Sequence, residues 1–479
     1  MKNAILGSAI LTGLAACGDT DRDHKISTPN IILVYLDDMG YGDLGRTGAL
    51  GFTTPHLDQM ANEGLFFTHF YAPQAVCSAS RVGLLTGCYP NRLGIGGAFD
   101  HMSMAGLNPK EMTIASMLKQ KDYATAVYGK WHLGHHKEFL PLNHGFDEFY
   151  GIPYSNDMWP YHPVAPTYYP PLPLIEGNST IATNPDQRYF TRDFTLRTID
   201  FVKRNQDRPF FVYLPHPMPH VPLFVSEDFD GISEQGLYGD VMMELDWSMG
   251  IILETLRDLN LEKNTLVIFT SDNGPWLNYG NHAGSTGGLR EGKGGTFEGG
   301  QRVPAIFWWP GTIPAGLVCN RLASGIDVLP TIAELTGVPL PEKKIDGVSL
   351  VPLLMGDMDA NPRNEFLYYY RRNSLQAVRS GNWKLVFEHP GRTYEGFLPG
   401  SDGLPGGANE NFLFPKALYD LRRDPAEVYN VMEKYPEIVK QLEEIADRAR
   451  IDLGDDLKGV EGKNRREPGR VIIQESINP

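Results

Sequence analysis

Four apolar runs in this chain of 479 residues end on side chains that can do chemistry. Residues 30–36 close on Asp37 and Asp38, and residues 123–129 close on Lys130, Trp131 and His132. Residues 209–215 lead to His216 and His220, and residues 265–271 close on Asp272 and Asn273. Asp37, Asp38, Asp272 and Asn273 offer only oxygen donors. Such hard ligands suit calcium or magnesium rather than zinc or copper. Three carboxylates in one place would also repel one another severely without a cation. Adjacent acids more often cap helices or face solvent. Two such sites at run ends, with no Cys or His ligand pattern beside them, favour a metal. Arg81, Lys130, His132, His220 and Lys293 are the candidate cations and proton carriers. The formal net charge is −15. That field would repel an anionic polymer at long range, so an anionic substrate requires positive charge concentrated in a pocket. Fixed cations there stabilise charge moving onto the bridging oxygen of a breaking ester. One charge pair near 4 Å contributes about 4 kcal/mol at an effective dielectric of 20, before desolvation. Taken singly, each Lys or Arg reads as a solvated surface charge. Cys77 opens Cys77-Ser78-Ala79-Ser80-Arg81; alone it reads equally as a small buried residue at a helix start. His216 reads as structural, and His101, His135, His136 and His144 as surface or structural.

The apolar runs read as strands buried on both faces. Helical patterns lie between them. Thr54-Pro55 is an N-cap with Pro at the first helical position, and residues 112–119, 194–202 and 237–259 are further helical stretches. Alternating strands and helices predict an α/β sandwich around a mostly parallel sheet, with ligands beyond the carboxyl ends of its strands. All four polar clusters fall at such ends. From about residue 361 the texture changes to short strand-like runs, 365–370, 375–380 and 383–388, with a Gly- and Pro-rich surface loop over 390–411 and a helix over 436–451. The division is therefore a catalytic domain over 30–360, an antiparallel-sheet subdomain over 361–458 and a charged, extended tail over 459–479.

Hydrophobic content of 42% and charged content of 21% are ordinary for a globular chain. The negative charge excludes a general affinity for nucleic acid. At the N-terminus Lys2 precedes a small and apolar stretch, 4–16, too short to span a membrane. Leu14-Ala15-Ala16-Cys17 resembles a bacterial lipobox. This predicts a lipoprotein signal peptide over 1–16, acylation of Cys17, a polar tether over 17–29, and an exported periplasmic or cell-surface lipoprotein held to the membrane by its lipid anchor. Of the four cysteines, Cys88 and Cys319 either pair or remain free and buried.

Taken together the blocks resemble the type I formylglycine-dependent sulfatases. Cys77-x-Ala79-x-Arg81 with the following Leu-Thr-Gly resembles their signature. Leu36-Asp37-Asp38-Met39-Gly40-Tyr41-Gly42-Asp43 and Thr270-Ser271-Asp272-Asn273-Gly274-Pro275 resemble the two metal blocks. Gly129-Lys130-Trp131-His132-Leu133-Gly134, Pro219-His220-Val221-Pro222 and the stretch from Gly292-Lys293 to Gly300 resemble the central, histidine and lysine blocks. Leu418-Tyr419-Asp420-Leu421 with Asp424-Pro425 resembles the C-terminal subdomain, and Gly151-Ile152-Pro153-Tyr154-Ser155 is closest to the arylsulfatase A-like branch. The order is the family's, over roughly residues 30–430.

The resemblance implies an alkaline phosphatase-like three-layer α/β/α sandwich around a mostly parallel mixed sheet, with a small C-terminal α+β subdomain. It implies that Cys77 becomes formylglycine, and that one Ca2+ is held by Asp37, Asp38, residue 77, Asp272 and Asn273. Arg81 would stabilise the hydrated aldehyde, which attacks sulfur to form a covalent sulfate ester. Lys130 and Lys293 would grip sulfate, with Ser155 a further contact. His220, with Lys293, would protonate the leaving alcohol, and His132 would take a proton from the second hydroxyl. The implied substrate is a sulfated polysaccharide or glycosaminoglycan, and the implied partner a formylglycine-generating enzyme. Ala79, where Pro is commoner, leaves open which maturation enzyme acts. The alternatives are a phosphodiesterase or phosphonate monoester hydrolase of the same superfamily, and a catalytically silent glycan-binding protein.

Overall fold

The structure is a computed structural model that describes residues 28–471. The signal segment 1–16, Cys17 and all but the last two residues of the tether lie outside the described residues. The strand Asn30–Leu36 is buried along its whole length. Its side chains alternate between two apolar layers, as the two-residue period of a strand requires. Ile31, Leu33 and Tyr35 enter one layer with Val82, Leu85, Leu329 and Ile332. Ile32, Val34 and Leu36 enter the other with Phe194, Phe201, Leu245 and Met249. Helices Cys77–Thr86 and Val328–Thr336 cover the first face, and Pro55–Glu63, Phe190–Arg204 and Leu237–Asp258 cover the second. The result is the expected three-layer α/β/α sandwich.

The order of the main sheet explains where its chemistry gathers. From one edge it runs Leu317–Cys319, Leu65–Tyr71, Arg302–Trp308, Thr265–Ser271, Asn30–Leu36, Phe210–Pro215, Ala124–Lys130, Glu148–Ile152, Pro173–Glu176 and Ser179–Thr183. The five strands from Thr265–Ser271 to Glu148–Ile152 are mutually parallel. Antiparallel neighbours flank them on both sides. All five parallel strands therefore end on one side, at Asp272, Asp37, His216, Trp131 and Pro153 respectively.

The C-terminal part is a four-stranded antiparallel sheet, Glu365–Tyr370, Ser374–Ser380, Trp383–Val386 and Ala417–Asp420, with the helix Pro436–Leu453 against it. The segment 390–411 is not wholly a loop. Its ends belong to an antiparallel hairpin, His389–Thr393 with Asn409–Phe414. Gly and Pro in the first strand mask a strand whose partner lies beyond the intervening loop. Further along, Gly469–Arg470 pairs with Ala105–Gly106 and lays the chain back on the main sheet domain. A buried charge network joins the two parts. Lys384 Nζ lies 3.3 Å from Glu298 and 2.8 Å from Glu427, all three side chains being fully buried. Breaking one side of such a pair costs about 3–5 kcal/mol, because it leaves an uncompensated buried charge. Cys77, Cys88 and Cys319 are all buried and free, so Cys88 and Cys319 do not pair.

Candidate active site

Cys77 is the first residue of its helix, with Val76 as the extended N-cap. Arg81 stands one turn further on, so both project from the same face. The Cys77 Sγ lies 3.6 Å from Asp37 Oδ1 and is only 3% exposed. Burial first, and then Asp37, push its thiol up to about 12. Arg81 is fully buried and nearly saturated. Its Nη2 donates to Asp37 and Asp272 at 2.9 Å each, its Nε to Asp272 at 3.2 Å, and its Nη1 to the Lys130 carbonyl at 2.9 Å. Lys130 pairs with Asp37 and donates to Ser155 Oγ at 3.0 Å. Lys293 Nζ sits 2.7 and 2.8 Å from the two oxygens of Asp38. Three carboxylates thus face three cations inside the protein. Burial works to raise Asp37, but Lys130 and Arg81 outweigh it and hold the carboxyl well below its usual range. Burial and the neighbouring Asp37 push Asp272 up to about 7. Burial works against Lys293, but Asp38 holds its ammonium well above its usual value.

Backbone geometry serves this convergence. Asp38 and His132 adopt left-handed φ values of 66° and 57°, uncommon outside glycine. Gly274 lets the Asp272–Asn273 turn press against the lysine loop, since a Cβ there would fall 1.8 Å from the Gly299 carbonyl. The histidines carry defined tautomers. A carbonyl only accepts, so the 2.7 Å contact from His132 Nε2 to the Phe99 carbonyl places the proton on Nε2. Nδ1 is left buried with no partner. Burial and then Lys130 hold this imidazole well below its usual value, which keeps Nδ1 a free acceptor. His220 is the reverse case. Its Nδ1 donates to the Val221 carbonyl at 2.5 Å, and its Nε2 lies 3.6 Å from Asp38 Oδ2. Burial and Lys293 lower it. Among the described residues the buried His216 ring has one hydrogen-bond partner, Ser248 Oγ at 3.4 Å, and burial lowers it to about 3, in keeping with a structural role.

The oxygen donors fit a hard divalent cation. Asp37 and Asp38 each place an oxygen, Cys77 its sulfur and His220 a ring nitrogen within 4.8 Å of one another, so the fold does bring a Cys and a His beside the acids, against the expectation from the run ends in the sequence. Asn273 adjoins them. Its Nδ2 donates to Asp38 at 2.7 Å and to the Gly274 carbonyl at 2.9 Å, while its buried Oδ1 has no partner. An orphaned amide oxygen beside carboxylates is a group that a cation would satisfy. Asp272 is more committed. Arg81 takes its Oδ2, and the Asp38 N–H donates to its Oδ1 at 3.2 Å.

Two further residues stand at the site without a signal of their own in the sequence. Trp276 carries the Lys293 ammonium 4.5 Å from its ring centroid and the His220 ring at 5.6 Å. Its position three residues after Asn273 was the only pointer to it. Asn156 donates to the Pro222 carbonyl at 3.2 Å and to the His220 carbonyl at 3.5 Å, tying the Ser155 loop to the His220 loop. His144 is buried against Trp131, and His101 packs on Tyr168 and Tyr169.

A parallel-centred α/β/α sheet that gathers carboxylates, lysines, histidines and a helix-borne residue 77 at its strand ends defines an alkaline phosphatase-like hydrolase. The family described as Sulfatase matches residues 29–338, and the C-terminal region of aryl-sulfatase matches residues 362–465. The chain belongs to the sulfatase family and is an enzyme that hydrolyses sulfate esters. Arylsulfatase A of Bos taurus is 41% identical over 473 residues, spanning 91% of this chain and 89% of that protein. N-acetylgalactosamine-6-sulfatase of Canis lupus familiaris is 39% identical over 434 residues, spanning 83% and 81%. The crystal structure of PsFucS1 sulfatase from Pseudoalteromonas sp. matches with a TM-score of 0.79 at 27% identity, covering 88% of this chain and 89% of that one.

Proposed function

We propose that this enzyme removes sulfate from a sulfated carbohydrate, using formylglycine at position 77 and one calcium ion at the acidic cluster. The carrying observation is the convergence on Cys77 of Asp37, Arg81, Lys130 and Lys293, with His132 and His220 beside them. A hydrated aldehyde at position 77 supplies an oxygen nucleophile and a second hydroxyl through which sulfate can leave; a serine would stay esterified. Calcium would be held by Asp37, Asp38, Asp272, Asn273 and residue 77, and its charge favours deprotonation of an oxygen bound there.

This chain's own residues do the rest. Arg81 holds Asp37 and Asp272 in place and faces the reacting position. Lys130 and Lys293 grip sulfate oxygens, with Ser155 orienting Lys130. His132 Nδ1 is the free base that takes the proton of the second hydroxyl. His220 Nε2, beside the Lys293 ammonium, faces the leaving alcohol; with Nδ1–H committed to the Val221 carbonyl, it gives the alcohol a proton as the imidazolium and reverts to the neutral ring. Burial and Lys293 lower His220, and the negative charge of a bound sulfate ester opposes that shift. A relative that acts on N-acetylgalactosamine 6-sulfate, by its name, supports the carbohydrate class. The lipobox-like N-terminus supports an exported lipoprotein at the periplasm or cell surface of a bacterium, matured by a formylglycine-generating enzyme.

The test is a panel of sulfated oligosaccharides, aryl sulfates and phosphodiesters, together with the mass of the peptide containing residue 77. The expected results are turnover of a sulfated sugar and a peptide about 18 Da lighter than its thiol form, the difference between thiol and aldehyde. Faster turnover of a phosphodiester than of any sulfate ester, or full activity with an unmodified Cys77, would overturn the reading.

A further inference from the structure

One hairpin of the C-terminal part reaches the rim of the site. Buried Glu291 clamps it to the lysine loop, accepting from Thr393 Oγ1 at 2.6 Å and from the Tyr394 N–H at 3.0 Å. The Tyr394 hydroxyl donates to the Lys293 carbonyl at 2.6 Å. This clamp delivers Arg392. Its guanidinium lies 3.5 Å from that same carbonyl and 5.9 Å from the Trp276 ring centroid. The indole that carries Lys293 and His220 therefore also carries Arg392. The approach is close. Gly294 has φ 82°, and a Cβ there would lie 3.1 Å from an Arg392 Nη atom.

Arg392 has no part in the network around Asp37, Asp38 and Asp272. Its ion-pair partner is Glu410 on the opposite strand of the hairpin, at 2.8 Å, and Glu410 is also 3.6 Å from Arg371. The Glu410 side chain is 52% exposed. The Arg392 side chain is 19% exposed, its Nη1 also donates to the Tyr394 hydroxyl at 3.3 Å, and its half-exposed carboxylate partner is held less firmly than the fully buried pairs of the site. Two arginines share Glu410, leaving an excess of positive charge at the rim of a protein whose net charge is −15. A planar guanidinium beside an aromatic wall suits bidentate capture of an oxyanion next to a ring.

We propose that Arg392, with Trp276 as its wall, forms a second anion subsite that binds a carboxylate or sulfate on the sugar bearing the scissile sulfate or on its neighbour. This rests on the sulfated-carbohydrate reading above and narrows the substrate to sugars with at least two anionic groups. The experiment compares steady-state kinetics of the wild type, Arg392→Ala and Glu410→Ala on matched pairs. One pair is a uronate-containing sulfated oligosaccharide and its carboxyl-reduced form; the other is a disulfated oligosaccharide and its monosulfated form. Arg392→Ala is expected to raise KM for the anion-bearing member of one pair by roughly 10–100-fold, the loss of one charge-assisted contact, with kcat within about threefold. The pair that responds identifies the anion as carboxylate or sulfate. Its counterpart should shift by less than about threefold, which also reports an intact fold. Glu410→Ala removes the same ion pair but frees the guanidinium, so its KM for the anion-bearing member should match or fall below wild type. Equal losses within both pairs, or a Glu410→Ala defect as large as that of Arg392→Ala, would reduce Arg392 to a brace of the hairpin. A wild type that turns over no sulfated sugar would overturn the function reading and this subsite together; wild-type turnover with equal losses overturns the subsite alone.

Discussion

Arg81→Met keeps much of the side chain's bulk and deletes its charge where two carboxylates depend on it. Arg81 lies 2.9 Å from both Asp37 and Asp272, with all three side chains fully buried. At 2.9 Å and an effective dielectric of 20, each contact has a gross attraction of about 6 kcal/mol. Desolvation cancels much of this, and removing one side of a buried pair costs about 3–5 kcal/mol net. In chelator, Asp37, Asp38 and Asp272 would then face Lys130 and Lys293 alone. Thermal unfolding at a fixed scan rate should show a loss of roughly 3–5 °C, since a chain of this size loses about 1 °C of Tm per kcal/mol. On an aryl sulfate, kcat/KM should fall roughly 10²–10⁴-fold, because the carboxylates that position the reacting group are no longer held. Arg81→Lys restores the charge without the fork and should recover only part of either loss. A variant melting within about 1 °C of wild type and keeping more than about a third of its kcat/KM would refute the idea that this guanidinium organises the site. Lost stability with retained kcat/KM would leave Arg81 a purely structural residue.

Three further outcomes are expected. In chelator, the unconverted thiol of Cys77 should resist iodoacetamide at pH 8 in the folded protein and react on unfolding, because burial and Asp37 push it up to about 12; rapid native labelling, read by peptide mass, would contradict this. Calcium at about 100 times its Kd should stabilise the wild type by about 2.7 kcal/mol, read from Tm, and Asn273→Leu should lose most of that gain; an equal calcium shift in the variant would remove Asn273 from the cation site. Asp43 gives a pH test. Burial raises it to about 6 from 3.8, against donors from Tyr238, Ser285 and Gly40. The folded state therefore holds a proton that the unfolded state releases, and the stability Asp43 contributes is fully present below 3.8 and falls as pH rises through 6. The Tm of Asp43→Asn minus that of wild type should rise from pH 4 to pH 6 and then level off; a difference that does not change with pH would show that Asp43 titrates normally.

The pattern of solvation along the chain was enough to place the strands and the acids and cations at their ends. A strand buried on both faces must be apolar throughout, and the residue that leaves the sheet at its carboxyl end must be polar if it is to meet a ligand. Asp37, Lys130 and Asp272 are visible for that reason. The family resemblance rested on the same local blocks. Tertiary structure alone decided contacts between segments remote in sequence. Neither the sequence around His132 nor that around Phe99 says that a carbonyl 33 residues away claims Nε2 and leaves Nδ1 free. Nothing near Cys88 indicates that Cys319 lies elsewhere. The strand His389–Thr393 is hidden by its Gly and Pro until Asn409–Phe414 pairs with it, and Arg392 becomes a rim residue only because Glu291 clamps that hairpin to the lysine loop. Local spacing encodes which groups leave the sheet together; which groups then satisfy one another is set by packing, and packing is a property of the whole fold.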